Sequence, residues 1–329
     1  MYNKSVDNKI MELAEKYREI EYEVPHRLKD KLATLPNMGF IIITPDSIKR
    51  GITKDIIEYL GEGLHIKFCA AKVKTLTSRD IEILYKYSFK RKILEGQPSY
   101  WWLMDECLQI GPSMGLILYS DDFKGKFFSN EMVKLKGEYG ENNKDSLTIR
   151  GKFQSFSRLL NVMHCSDDIF NVLRESSIFF NEEEIEKIMV QCQNKKFYEP
   201  SVISSLVDGS ESIPESLVKV KNNIVTRIHA INIINGNDII KINNARLMNL
   251  SFKDFKIEIQ SYGNEINRQC LSSLYLLYIL NGRENINMDI VEYCIKTSNI
   301  CLNDFEKVII KNISTFKKWK QYEVCDHEE

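Results

Sequence analysis

The chain has 329 residues, 43% of them apolar and 28% charged, with a formal net charge of −1. That length suits two compact units better than one, and the near-neutral balance gives no broad basic field to attract nucleic acid or an anionic membrane. The eight cysteines include no CxxC pair, no apolar leader follows Met1-Tyr2-Asn3-Lys4, and no stretch approaches 18 uncharged apolar residues. The reading is a cytoplasmic protein with free thiols, no structural zinc and no membrane span.

In chain order, residues 4–22 carry Ile10, Leu13, Tyr17 and Ile20 at helical spacing, predicting an amphipathic helix in an N-terminal extension over 1–37. Met38-Gly39-Phe40-Ile41-Ile42-Ile43 is a short apolar run of the kind that forms a strand buried on both faces. Thr53 is placed to cap a helix through Leu60, residues 65–74 read as a strand, and Thr77 with Asp80 opens a helix through about Tyr87. A helix over Tyr100–Leu108 and a strand over Met114–Tyr119 follow, then a polar loop over 134–146. Arg150 reads as an arginine leading into a strand, Asn161–His164 as a last short strand, and Asp167–Arg174 as a helix. Asp208-Gly209-Ser210 is the linker candidate. Beyond it, apolar positions in helical rhythm at Leu217, Ile224 and Ile228, over 264–281, and from a cap at Asn303 predict a mainly helical domain over 210–329. The lysines between 307 and 320 fit a solvated helix face.

Four segments carry chemistry: Thr44-Pro45-Asp46 with Arg50-Gly51; Gly111-Pro112 before an apolar strand; Gly137-Glu138 with Thr148-Ile149-Arg150-Gly151; and Asn161-Val162-Met163-His164-Cys165-Ser166-Asp167. In this order and spacing, residues 38–195 resemble a nucleoside diphosphate kinase domain. The resemblance implies an α+β fold, a ferredoxin-like antiparallel sheet with helices packed on one face. It also implies chemistry in which a neutral histidine attacks the γ-phosphate of ATP or another nucleoside triphosphate, with Mg2+ on the phosphates, and passes the group to a second acceptor.

Residue by residue, it implies His164 as the phosphorylated base, with Glu175 and Ser166 orienting it. Arg150 and Asn161 fall on phosphate or ribose contacts, Tyr85 on an active-site tyrosine, and Tyr100 or Trp101 near the base-stacking aromatic. The departures are at the phosphate clamp: Thr44 replaces the family lysine, Val133 an arginine and Tyr139 a threonine, with Lys49, Lys134 and Lys136 as candidate substitutes. The expectation is a divergent phosphotransferase acting through His164, whose partners are a nucleotide, a small-molecule or protein acceptor and a homo-oligomeric copy. The alternative is a catalytically impaired nucleotide sensor whose helical C-terminal domain is a regulatory or protein-interaction output.

Overall fold

A computed structural model describes residues 35–94, 101–123, 126–137, 147–207, 217–234, 250–261, 268–281, 286–298 and 300–315. The helix expected over 4–22, the linker at 208–210 and Tyr100 lie outside the described residues. The chain divides into two compact units, Met1–Pro214 and Glu215–Glu329.

The first unit is built on four antiparallel strands, β1 (Met38–Ile43), β2 (Lys67–Lys74), β3 (Ser113–Tyr119) and β4 (Met163–Cys165), in the order β2-β3-β1-β4. Every residue of β1 and β3 is buried, as their continuous apolar runs require. The sheet therefore carries helices on both faces, not on the one face expected. On one side Phe40 and Ile42 of β1 pack with helices α3 (Ser78–Leu94), α7 (Ile169–Ser176) and α8 (Glu182–Gln193) through Ile81, Leu84, Phe170, Leu173 and Ile188. On the other, Ile41 and Ile43 pack with α2 (Thr53–Glu58), α5 (Phe128–Lys136) and the short α6 (Ile149–Lys152) through Ile56, Ile57, Phe128, Met132 and Ile149. The remaining α-helices described here are α1 (Pro45–Lys49), α4 (Trp101–Gln109) and α9 (Pro200–Ser204), and a π-helical turn over Tyr59–Gly63 continues α2.

Local chemistry explains most boundaries. Asp80 accepts from the Thr77 amide and hydroxyl, starting α3, and Asn181 with Glu184 forms a full capping box on α8. Three expectations are corrected. Thr53 does not cap α2: the N-cap is Ile52, and the Thr53 hydroxyl is buried without a hydrogen-bond partner among the described residues. The polar loop begins later than 134, because α5 runs to Lys136 before Gly137 ends it at φ 76°. Arg150 lies in a helical turn, not before a strand, because the Thr148 side chain accepts from Gly151 N–H and caps α6.

Gly115 in β3 shows how tightly the first face closes. A Cβ there would sit 2.6 Å from the ring of Phe179, itself buried. Gly115→Ala is expected to destabilise this unit by about 1–3 kcal/mol, the usual cost of overpacking, measurable as a lowered denaturation midpoint at unchanged slope.

The second unit is helical: α10 (Leu217–Ile234), α11 (Phe252–Ser261), α12 (Arg268–Leu280), α13 (Met288–Thr297) and α14 (Asp304–Thr315). Its core brings together Ile224, Ile228, Leu277, Val291, Ile309 and Ile313, and Phe255 packs on Tyr278 with ring centroids 4.4 Å apart. Asn303 and Glu306 exchange capping bonds at the start of α14, and Glu306 also pairs with Arg227. The solvated-lysine reading holds for Lys307, which meets Asp304, but not for Lys311, whose largely buried side chain reaches Glu292 at 3.3 Å.

Candidate active site

β4 pairs with β1 so that His164 stands opposite Ile42, and its side chain emerges on the face covered by α3 and α7. The approach to His164 is strained. Val162 has φ 73°, a left-handed conformation rare for a β-branched residue, and Met163 N–H closes a tight turn onto Asn161 O at 2.8 Å. Such a conformation costs about 1–3 kcal/mol and persists only where neighbours hold it.

The start of α1 does so. Asp46 Oδ2 accepts from Val162 N–H at 3.3 Å, Ser47 Oγ donates to Val162 O at 2.8 Å, and Thr44 N–H donates to the same oxygen. Burial pushes the Asp46 carboxyl up, opposed by the Thr44 hydroxyl at 2.6 Å, by Arg50 and by the Val162 amide.

Downstream, Asp168 caps α7 by accepting from the amides of Phe170 and Asn171, which carries Glu175 to the histidine. His164 Nε2 lies 2.7 Å from Glu175 Oε2. The same oxygen accepts from Ser166 Oγ at 2.6 Å, and Oε1 accepts from Arg174 Nη2 at 2.7 Å. Burial pushes the Glu175 carboxyl up, but His164, Arg174 and Ser166 together outweigh it and hold the group below its ordinary range. An ionised Glu175 can only accept, so Nε2 carries the proton, and in the neutral form of the ring the lone pair lies on Nδ1. Tyr85 of α3 meets the ring edge-on, with centroids 5.6 Å apart, and burial, with Glu175 nearby, pushes its phenol up.

Arg150 is buried, and three of its nitrogens donate to carbonyls: Nε to Asn161, Nη1 to Gly137 and Nη2 to Met163. This guanidinium therefore ties the end of α5 to both sides of the Val162 turn. Asn161 Nδ2 donates to Arg158 O, while its Oδ1 is buried with no hydrogen-bond partner among the described residues.

The sequence model of the nucleoside diphosphate kinase family matches residues 37–185. The nucleoside diphosphate kinase of Hyperthermus butylicus is 32% identical over 148 residues, spanning 44% of this chain and 93% of its own length. The chain belongs to the nucleoside diphosphate kinase family. The nucleoside diphosphate kinase of Ignicoccus hospitalis is 30% identical over 146 residues, 44% of this chain and 90% of its own. Among solved structures, the Borrelia burgdorferi nucleoside-diphosphate kinase with vanadate and ADP bound aligns over 45% of this chain and 88% of that one, at 23% identity and a TM-score of 0.37. The match ends at residue 185, so the helical unit from Glu215 onward lies outside it.

Within the kinase-family unit the replaced clamp positions carry no charge. Thr44 is buried with its hydroxyl on Asp46, and the side chain of Val133 packs on the core beneath the sheet. Of the substitute lysines, Lys49 lies along Gly111, its Cε 3.4 Å from where a Cβ would stand, and Lys134 is turned to Glu131 at 2.8 Å. Lys136 differs. It is half-buried at the end of α5 and has no ion-pair or hydrogen-bond partner among the described residues. Its charge lowers the Cys165 thiol against the burial that pushes that group up to about 12. No described helix is long and apolar enough to cross a membrane, and no group of three His, Cys, Asp or Glu among the described residues could hold a metal by itself.

Sequence reasoning gave no role to three residues of this site: Arg174, and the pair Asp46 and Ser47, which lie in the first motif and hold Val162. Arg174 lies beside Glu175 in sequence, and a buried helix carboxylate needs a cation; that was the available signal.

The depressed Glu175 carboxyl makes a pH prediction. Its folded value lies below the ordinary 4.5, so its contribution to stability is present above that pH and is lost as pH falls through the folded value. Melting curves between about pH 5 and 2 are expected to fall more steeply for the wild type than for Glu175→Gln, and parallel curves would refute the assignment.

Proposed function

We propose that the kinase-family unit transfers a γ-phosphoryl group from a nucleoside triphosphate through a phosphohistidine at His164. The observation that carries this reading is the 2.7 Å contact between His164 Nε2 and a buried, ionised Glu175 pinned by Ser166 and Arg174. In the first step the Nδ1 lone pair bonds to the γ-phosphorus, the bond to the bridging oxygen breaks, and the nucleoside diphosphate leaves. Glu175 stabilises the cationic ring that results without taking its proton. In the second step an acceptor oxygen attacks the phosphorus, the N–P bond breaks, and the acceptor's proton passes to solvent.

Phosphoryl transfer depends mainly on positioning and charge neutralisation. The residue set fits a magnesium ion that arrives on the triphosphate, where it would offset phosphate charge: Asp167 is exposed just past His164, and a phosphate-bound ion needs only one or two protein carboxylates. The orphaned Oδ1 of Asn161 suits a hydroxyl donor such as a ribose oxygen. Lys136, which has no ion-pair partner among the described residues, precedes Gly137, which Arg150 links to Met163, and it takes over charge lost at Thr44. Lys136→Ala is expected to raise the nucleotide concentration for half-maximal labelling about tenfold, equivalent to ~1.4 kcal/mol, while Lys136→Arg retains it. An unchanged value for the alanine variant would remove Lys136 from the site.

The uncharged Thr44 and Val133 favour a second reading, a nucleotide sensor that binds without turnover. Incubating the full chain with γ-labelled ATP and Mg2+, then assaying acid-labile, alkali-stable protein phosphate, separates the two. Label that discharges onto GDP supports nucleoside diphosphate as acceptor, and label that GDP leaves in place supports another acceptor. Bound nucleotide with no label would sink the phosphohistidine reading and leave the sensor.

A further inference from the structure

We propose that Cys69 and Cys192 form an oxidisable dithiol that closes to an intramolecular disulfide on exposure to peroxide. Their sulfurs lie 2.8 Å apart, both side chains fully buried, across a sequence separation of 123 residues. A defect in β2 creates the approach. The β2–β3 register slips between Phe68 and Ala70, so Cys69 is the extra residue of a bulge. A regular strand would send Cys69 and Ala70 to opposite faces, yet both pack in the cluster that contains α8. Cys192 stands in the last turn of α8 and meets it there.

Cys69 contributes to the wall of a cavity of about 320 Å³, with Phe180, Tyr198 and Leu206. Its side chain is itself fully buried, so hydrogen peroxide reaches the sulfur only as this wall opens transiently. Burial, with the neighbouring sulfur, pushes the Cys69 thiol up, so the reaction is slow and needs peroxide in excess. The Cys69 sulfur takes one peroxide oxygen as the O–O bond breaks, giving a sulfenic acid and one water. The Cys192 sulfur then attacks that sulfur, the S–O bond breaks, and a second water leaves with the Cys192 proton. Two thiols are oxidised and one peroxide is reduced to two waters, and an added dithiol reverses the change. β2 and β4 occupy opposite edges of the sheet, so the clamp is remote from His164 and does not depend on the proposed activity.

The test treats the folded full chain with excess hydrogen peroxide, alkylates remaining thiols after denaturation, digests without reductant and maps linked peptides by mass. The expected product is a Cys69–Cys192 linked pair about 2 Da lighter than the two thiol peptides, abolished by dithiothreitol. Its formation is expected to raise the melting temperature by on the order of 10 °C, because so long a loop is closed in the unfolded chain. Cys69→Ser and Cys192→Ser should each remove the link and the shift. Oxygen added to Cys69 without a link, a different cysteine pair linked, or both thiols still alkylatable would overturn the proposal.

Discussion

His164→Ala is expected to abolish acid-labile labelling from γ-labelled ATP, a fall of at least ~1000-fold, while the unit stays folded. The substitution removes Nδ1, the nitrogen left with a lone pair by the Glu175 contact. It does not strand the acid: Glu175 keeps Ser166 on one oxygen and Arg174 on the other, so its buried charge remains paired. The stability cost is that of one charge-assisted hydrogen bond, about 1–3 kcal/mol. Label lost together with a melting temperature close to wild type therefore assigns the chemistry to the ring. Acid-labile phosphate persisting on the alanine variant would place the nucleophile elsewhere, and acid-stable label on the wild type would indicate a hydroxyl such as Ser166.

Arg150→Ala is expected to have the largest effect on stability, a loss on the order of 3–5 kcal/mol, or roughly 10 °C in melting temperature. The guanidinium is buried and binds the carbonyls of Asn161, Gly137 and Met163. Its removal takes the guanidinium donors from those oxygens, that of Met163 in a buried bond, and releases the backbone around Val162, whose φ of 73° survives only because it is held. Arg150→Lys should recover a minor part, because one ammonium cannot match a planar fork spread over three acceptors. The family resemblance places this residue on the phosphates. If that were its main task, the alanine variant would melt normally and require more nucleotide, so calorimetry beside a labelling titration decides between the roles.

What could be read in advance followed local rules. Strands β1 and β3 announce themselves as apolar runs, α3 and α14 by their caps, and His164, Ser166 and Glu175 by a motif whose spacing survives in the chain. What could not be read joins distant segments. Asp46 reaches Val162 across 116 residues, and no periodicity in either segment records the contact. Thr53 looks like a cap by residue type, yet the chain enters α2 one residue earlier, from Ile52. Arg150 looks extended by its surroundings, until the Thr148 side chain turns the backbone into a helix. The bulge at Cys69 is invisible because Phe68 to Ala71 are all acceptable strand residues, and only pairing with β3 shows the slip.

Arg174 Nη1 donates to the carbonyl of Ile83 and, at 3.4 Å, to that of Leu84, while Nη2 holds Glu175. The wall that supplies Tyr85 and the helix that supplies the orienting acid thus share one fastening. In hydrogen-exchange terms, the amides of the Tyr85 turn and those of Leu173 to Ser176 should open as one cooperative unit with a common free energy, and the histidine loses its orientation whenever that unit opens.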